Sequence, residues 1–201
     1  GLIVRIGQWV LQEACQQMAC WRAAGHDLQR IAVNISARQF AEGKLQQHVV
    51  GALEENGLAA HHLELELTES ILMENVSYTM EVLNHLKSMG VELAIDDFGT
   101  GYSSLSYLKQ FPIDRLKVDR AFVKGLASDQ EDQRIAQAIV AIAHSFNLSV
   151  VAEGVEHRDQ EEFLRSLGCE SVLGYRYGRP MHAAALTRLL VQQAVARPGC
   201  S

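Results

Sequence analysis

Apolar runs of strand length alternate with helical stretches along nearly the whole chain, and that alternation leaves few architectures open. Strands are predicted at Arg30–Ser36, Leu63–Thr68, Glu92–Asp97, Arg115–Asp119, Leu148–Glu153 and, from a weaker pattern, Glu170–Gly174. A first helix is predicted from Leu2, Ile6, Val10, Ala14, Met18 and Trp21, which recur at helical spacing before Gly25 stops them. Further helices are expected over Leu45–Leu58, Val76–Met89, Tyr102–Gln110, Asp129–Phe146 and Arg158–Leu167. Ser128, with Glu131 three residues on, reads as a capping box, and Ile135, Ile139, Ile142 and Phe146 as the apolar face behind it. Consecutive strands joined through helices run parallel, so the sheet is either doubly wound or rolled into a barrel. A dinucleotide fold would carry GxGxxG after its first strand, and "VNISARQF" contains no glycine.

The placement of polar residues favours the barrel. Asn34, then Glu66 and Glu69, Asp96 and Asp97, Lys117 and Asp119, and Glu153 and Glu156 all fall at the C-terminal ends of predicted strands. In a (β/α)8 barrel those ends form one rim, where residues distant in sequence converge on a site. The period of two agrees: Glu64 and Glu66 share a face against Leu63, Leu65 and Leu67, and Lys117 and Asp119 oppose Leu116 and Val118. Parallel strands are ordinarily covered on both sides, so polar faces on several of them point to a site. Singly, each residue has a plainer reading: Asp97 as a turn residue, Asn34 as a cap, Lys117 as a solvated charge. The eight histidines form no HxxxH pair and read as surface or core residues. Asparagine and carboxylate oxygens without His or Cys suit a hard cation, Mg²⁺ or Mn²⁺, in place of Zn²⁺. Adjacent carboxylates at Asp96 and Asp97 could hold two such ions, whose charge would offset the cost of burying the cluster. "FGTGYSSL" could cradle a phosphate on its backbone N–H groups, though a glycine loop also serves as a plain turn.

Composition narrows the partners. A chain of 201 residues with 48% apolar content suits one domain with a real core. The net charge of −6 leaves no broad cationic surface for duplex nucleic acid, so an anionic ligand needs a local device such as a metal. Cys15, Cys20, Cys169 and Cys200 show no CxxC spacing and are expected to be reduced thiols in the cytosol. No apolar run reaches the ~18 residues of a membrane span, and no signal-peptide layout opens the chain. Position 1 is Gly and the first residues already read as helix, so the N-terminus is expected to be a cut.

Six blocks resemble the EAL-domain family of cyclic-di-GMP phosphodiesterases: "GLIVRIGQWVL", "VNISARQF", "LELELTES", "AIDDFGTGYSSLSYLKQFPIDRLKVDRAFV", "VVAEGVEH" and "GCESVLGYRYGRPM". The resemblance implies an α/β, TIM-like barrel that opens one phosphodiester of cyclic di-GMP to give linear pGpG. It implies that Asn34, Glu66 and Asp96 bind one metal, that Asp96 bridges to a second held largely by Asp97, and that Asp119 lies beside it. Glu153 resembles the general base or the group that orients the attacking water, and Lys117 the lysine that contacts this water and the phosphate. Glu69 resembles the anchor of the DDFGTG loop. Leu173, Gly174 and Tyr175 fall in the substrate block, with Leu173 where the family usually has the Gln that contacts guanine. The Glu-Ala-Leu motif would precede Gly1, so residues 1–201 are expected to form a single, N-terminally incomplete domain lacking the first two barrel strands. Expected partners are cyclic di-GMP, a second copy in a homodimer, and a sensor or GGDEF domain upstream, with no membrane contact and a cytoplasmic location. The alternative is a catalytically inactive cyclic-di-GMP receptor, although a receptor has little chemical need of Lys117 and Glu153. A third reading is a dimerising domain presenting the Tyr102–Gln110 helix.

Overall fold

Every strand expected from the sequence forms: β1 (Ile31–Ile35), β2 (Leu63–Thr68), β3 (Glu92–Phe98), β4 (Arg115–Val118), β5 (Ser149–Ala152) and β6 (Ser171–Val172). The computed structural model describes residues 1–99 and 105–196. The six strands make one sheet in chain order, each pair parallel, which is the open part of a TIM-like (β/α) barrel. The helices are α1 (Leu2–Ala23), α2 (Ala37–Ala41), α3 (Leu45–Asn56), α4 (Glu69–Glu74), α5 (Val76–Met89), α6 (Leu105–Leu108), α7 (Arg120–Lys124), α8 (Gln130–Ser145), α9 (Arg158–Ser166) and α10 (Ala183–Ala196).

One sheet face is apolar and lies under the helices: Val33, Ile35, Leu63, Leu65, Leu67, Leu93, Ile95, Leu116, Val118, Val150 and Ala152 are buried there. The helices supply Val49 and Leu53, Val82 and Leu86, Ile139 and Val140, and Leu164 to the same cluster. The opposite face carries the polar residues. It is covered at β2 and β4, where Glu64, Glu66 and Lys117 are buried, and open at the β1 edge, where Ala32 and Asn34 are exposed. Trp21 Nε1 donates to Thr187 Oγ1 at 2.8 Å, tying the first helix to the last.

Three expectations are corrected. On α1 the buried stripe runs through Leu11, Cys15, Met18 and Trp21, whereas Leu2, Ile6 and Val10 are exposed. The helix carries two apolar stripes, and only one can face β1 and α3. The cap of α8 is Asp129, not Ser128: the Asp129 carboxylate accepts the Glu131 N–H at 2.8 Å. An anion at the positive end of a helix is a better acceptor than a hydroxyl. Of the predicted Tyr102–Gln110 helix, residues 105–110 are described, and there α6 ends at Leu108 with Lys109 and Gln110 in a turn; the rest of that expectation and most of "FGTGYSSL" lie outside the described residues. The short helices α2, α4 and α7 escape sequence periodicity because none spans two full turns. The expected thiols are free at Cys15, Cys20 and Cys169.

Candidate active site at the strand ends

The register explains how the polar residues meet. Asn34 pairs with Glu66 and Thr68 with Asp96, which puts Asn34, Glu66 and Asp96 on one face of neighbouring strands. Arg115 and Lys117 continue that face on β4, opposite Ser149 and Val151 of β5, and Glu153 follows two residues later. Between β3 and β4 the register slips: Ile95 pairs with Leu116, but Phe98 pairs with Val118. Three steps on β3 thus match two on β4, a bulge that falls on Asp96 and Asp97, and Asp97 takes φ 55°. In a regular strand these neighbours would point to opposite faces; the bulge cancels that alternation. The strand therefore ends in two carboxylates at one rim.

Lys117 is the hub. Its side chain is 4% exposed, and Nζ donates to Glu66 Oε2 at 2.7 Å, Asp96 Oδ1 at 2.9 Å and Glu153 Oε1 at 2.7 Å. Burial pulls the ammonium pKa down, but the hydrogen bonds to Glu153 and Glu66 outweigh it and hold it above its usual value. Burial pushes Glu66 up against the lowering effect of Lys117, with the charges of Asp96 and Glu153 adding to the rise. Asp97 is pushed up to about 6 by burial, by a hydrogen bond with Asp119 and by the charge of Asp96. Asp119 also caps α7, accepting the Ala121 N–H at 2.7 Å. Five carboxylates thus share one ammonium, leaving an excess of negative charge.

That excess tests the hard-cation expectation. Among the described residues no three His, Cys, Asp or Glu groups stand ready to hold a metal ion. The donor chemistry nevertheless fits Mg²⁺ or Mn²⁺: the candidate donor atoms are all oxygens, and the unbalanced carboxylates are what a divalent cation would neutralise. Lys117 occupies the middle of the group and acts as its present counter-charge.

Other expected residues separate. Glu64 shares the face of Glu66 but lies lower in the strand, where Arg115 Nη1 at 3.0 Å and Arg30 Nη1 at 3.4 Å pair with it, so it braces the sheet. Glu69 opens α4 and is buried, and its Oε2 has no hydrogen-bond partner among the described residues; most of the loop it is expected to anchor lies outside them. Leu173, Gly174 and Tyr175 line a cavity of about 210 Å³ together with Arg120, Glu153, Gly154 and Glu156. Leu173 is 52% exposed, and its backbone bonds Ala152 O and Val155 N, so an apolar side chain is fixed at the rim. Gly174 sits where a Cβ would collide with the Val155 carbonyl. The arginine stacked on Tyr175 is Arg179, 4.8 Å from the ring centroid. Sequence reasoning missed Arg120, whose position beside Asp119 in "KVDR" is the signal that could have found it. Buried His62 bonds Gln29 O, as a core histidine does. No helix of the described residues is long and apolar enough to cross a membrane.

The family model of the EAL domain matches residues 1–180. The bifunctional diguanylate cyclase/cyclic di-GMP phosphodiesterase MucR of Pseudomonas aeruginosa is 52% identical over 186 residues, covering 92% of this chain and 27% of MucR. The cyclic di-GMP phosphodiesterase NbdA of the same organism is 48% identical over 190 residues, covering 94% of this chain and 24% of NbdA. The chain spans about a quarter of the length of these curated relatives. Among solved structures, the PaMucR phosphodiesterase in complex with c-di-GMP matches with TM-score 0.90 at 52% identity, covering 92% of this chain and 75% of that one. The EAL domain of Mycobacterium smegmatis DcpA matches with TM-score 0.87 at 38% identity, covering 92% and 84%.

Proposed function

The chain belongs to the EAL-domain family, and from that premise we propose that it is a metal-dependent phosphodiesterase domain that hydrolyses cyclic di-GMP to linear pGpG. The observation that carries this reading is the convergence of Glu66, Asp96 and Glu153 on Lys117 at the strand ends, with Asp97 and Asp119 beside them. Asn34, Glu66, Asp96, Asp97 and Asp119 would hold Mg²⁺ or Mn²⁺. Bound there, the cations would acidify water and stabilise negative charge developing on the phosphate.

The protein's own groups do the rest. The Glu153 carboxylate accepts a proton from the attacking water as its oxygen adds to phosphorus; one ribose P–O bond breaks, opening the ring, and the departing sugar oxygen takes a proton from solvent to become a hydroxyl. Lys117 holds Glu153 in place, and its positive charge offsets part of the negative charge of the surrounding carboxylates beside the reacting phosphate. The Leu173–Tyr175 segment borders the cavity that starts at Glu153 and takes a guanine end of the substrate. An inactive receptor would need anion binding but not a base, so the pairing of Glu153 with Lys117 supports hydrolysis. We also propose that a sensor or GGDEF domain shares the intact protein, as the bifunctional name of MucR suggests, and that the domain works as a cytoplasmic homodimer.

Metal binding tests the donor set. Asp96 is expected to serve both cations, so Asp96→Asn should weaken Mg²⁺ or Mn²⁺ binding by at least about tenfold, or ~1.4 kcal/mol, in calorimetric titration of the intact protein. Unchanged affinity would remove Asp96 from the site.

A further inference from the structure

Gln160 is 2% exposed, and both ends of its amide are used. Its Oε1 accepts the backbone N–H groups of Glu156 and His157, each at 2.9 Å. Its Nε2 donates to the carbonyls of Val123 at 3.1 Å and Lys124 at 3.3 Å. These partners fix the orientation of the amide, since the flipped form would set NH₂ against two N–H groups and oxygen against two carbonyls. As the third residue of α9, Gln160 makes an ordinary N-terminal cap with its oxygen. Its nitrogen does something a cap does not: it ends on the last carbonyls of α7, in the strand–helix unit that carries Lys117 and Asp119.

The segment so held is the one that carries Glu153. Gly154, at φ +74°, lies so close to α7 that a Cβ there would come within 2.6 Å of Arg120 Cβ. On the other side, Val155 N donates to Leu173 O at 2.9 Å and Arg176 N donates to Val155 O at 3.1 Å. Residues 153–157 are therefore gripped between α7 and the Leu173–Arg176 segment, and Gln160 bridges the α7 side.

Resting on the phosphodiesterase reading, we propose that Gln160 is a positioning residue: it locks the Glu153–Glu156 segment to α7, so that Glu153 keeps its place against Lys117. Two variants of the intact protein separate this role from capping. Gln160→Glu keeps the acceptor half, and its charge suits the start of α9, but it turns a second oxygen on the Val123 and Lys124 carbonyls. Gln160→Met keeps the length and loses all four bonds.

We expect kcat for cyclic di-GMP to fall by about 10- to 100-fold in both variants, with KM within about threefold, because a shifted base slows chemistry more than binding. Amide exchange at Glu156 and His157 should quicken about tenfold or more in Gln160→Met and stay slow in Gln160→Glu. Wild-type kcat in a folded Gln160→Glu would leave Gln160 as a cap alone and overturn the proposal. A wild-type protein that hydrolyses no cyclic di-GMP would sink the phosphodiesterase reading instead. The exchange readout then decides the lock by itself: faster exchange at Glu153 and Val155, whose N–H groups Gln160 does not bond, in Gln160→Glu supports it, and unchanged exchange there overturns it.

Discussion

Glu153→Gln should lower turnover of cyclic di-GMP by about 10²- to 10⁴-fold, the usual contribution of a positioned base. Glu153 follows directly on β5, with its backbone N–H bonded to Val118 O at 3.1 Å, so its Cα is fixed by the sheet. Its side chain is 28% exposed, open enough to meet water, and it is oriented by Lys117 Nζ at 2.7 Å. Glutamine keeps the shape and can still accept that hydrogen bond, but it cannot take a proton. Binding should change by less than about tenfold, or ~1.4 kcal/mol, because Lys117 and the Leu173–Tyr175 segment remain. Steady-state hydrolysis and equilibrium binding on the same preparations check both halves. Full activity in the variant would mean that Glu153 has another role.

Lys117→Met should be the most damaging change to stability in the site. The ammonium is the counter-charge of three carboxylates and is almost fully buried. Removing one partner of a buried ion pair typically costs about 3–5 kcal/mol, because the charge left behind stays desolvated. For a domain of this size that corresponds to a fall in melting temperature of roughly 6–20 °C, at about 2–4 °C per kcal/mol. Saturating Mg²⁺ or Mn²⁺ should recover part of the loss, since a cation bound to the folded state alone stabilises it. Thermal melts with chelator and with each cation make the comparison. A variant that melts like wild type in chelator would show that the carboxylates do not depend on Lys117.

The legible parts of the fold were those where one local signal sufficed. β2 forms over the residues predicted because "LELELT" alternates without a break between turn-forming flanks. α5 likewise begins and ends as read, capped by Asn75 and stopped by Gly90 at φ 92°. The stripe of α1 was misread because the choice between two apolar faces is made by β1 and α3, distant in the chain. The rim residues were visible as polar strand ends, but their arrangement was not. "DDFG" does not announce a bulge, and without it Asp96 and Asp97 would diverge. Glu64 and Glu66 look equivalent in sequence and differ only in depth, one paired with arginines and the other with Lys117. Gln160 has the spacing of a cap in "HRDQ", but its second pair of bonds exists only because α7 lies alongside.

The central claim is that the strand-end cluster hydrolyses cyclic di-GMP with the help of a divalent cation, and product analysis addresses it most directly. The intact protein should be incubated with cyclic di-GMP in Mg²⁺, in Mn²⁺ and in chelator, with the nucleotides then separated by chromatography. The account predicts linear pGpG with at least one cation, none in chelator, and none from Asp96→Asn. Cyclic di-GMP recovered intact under both cations, from a protein that demonstrably binds it, would contradict the account and leave a receptor in its place.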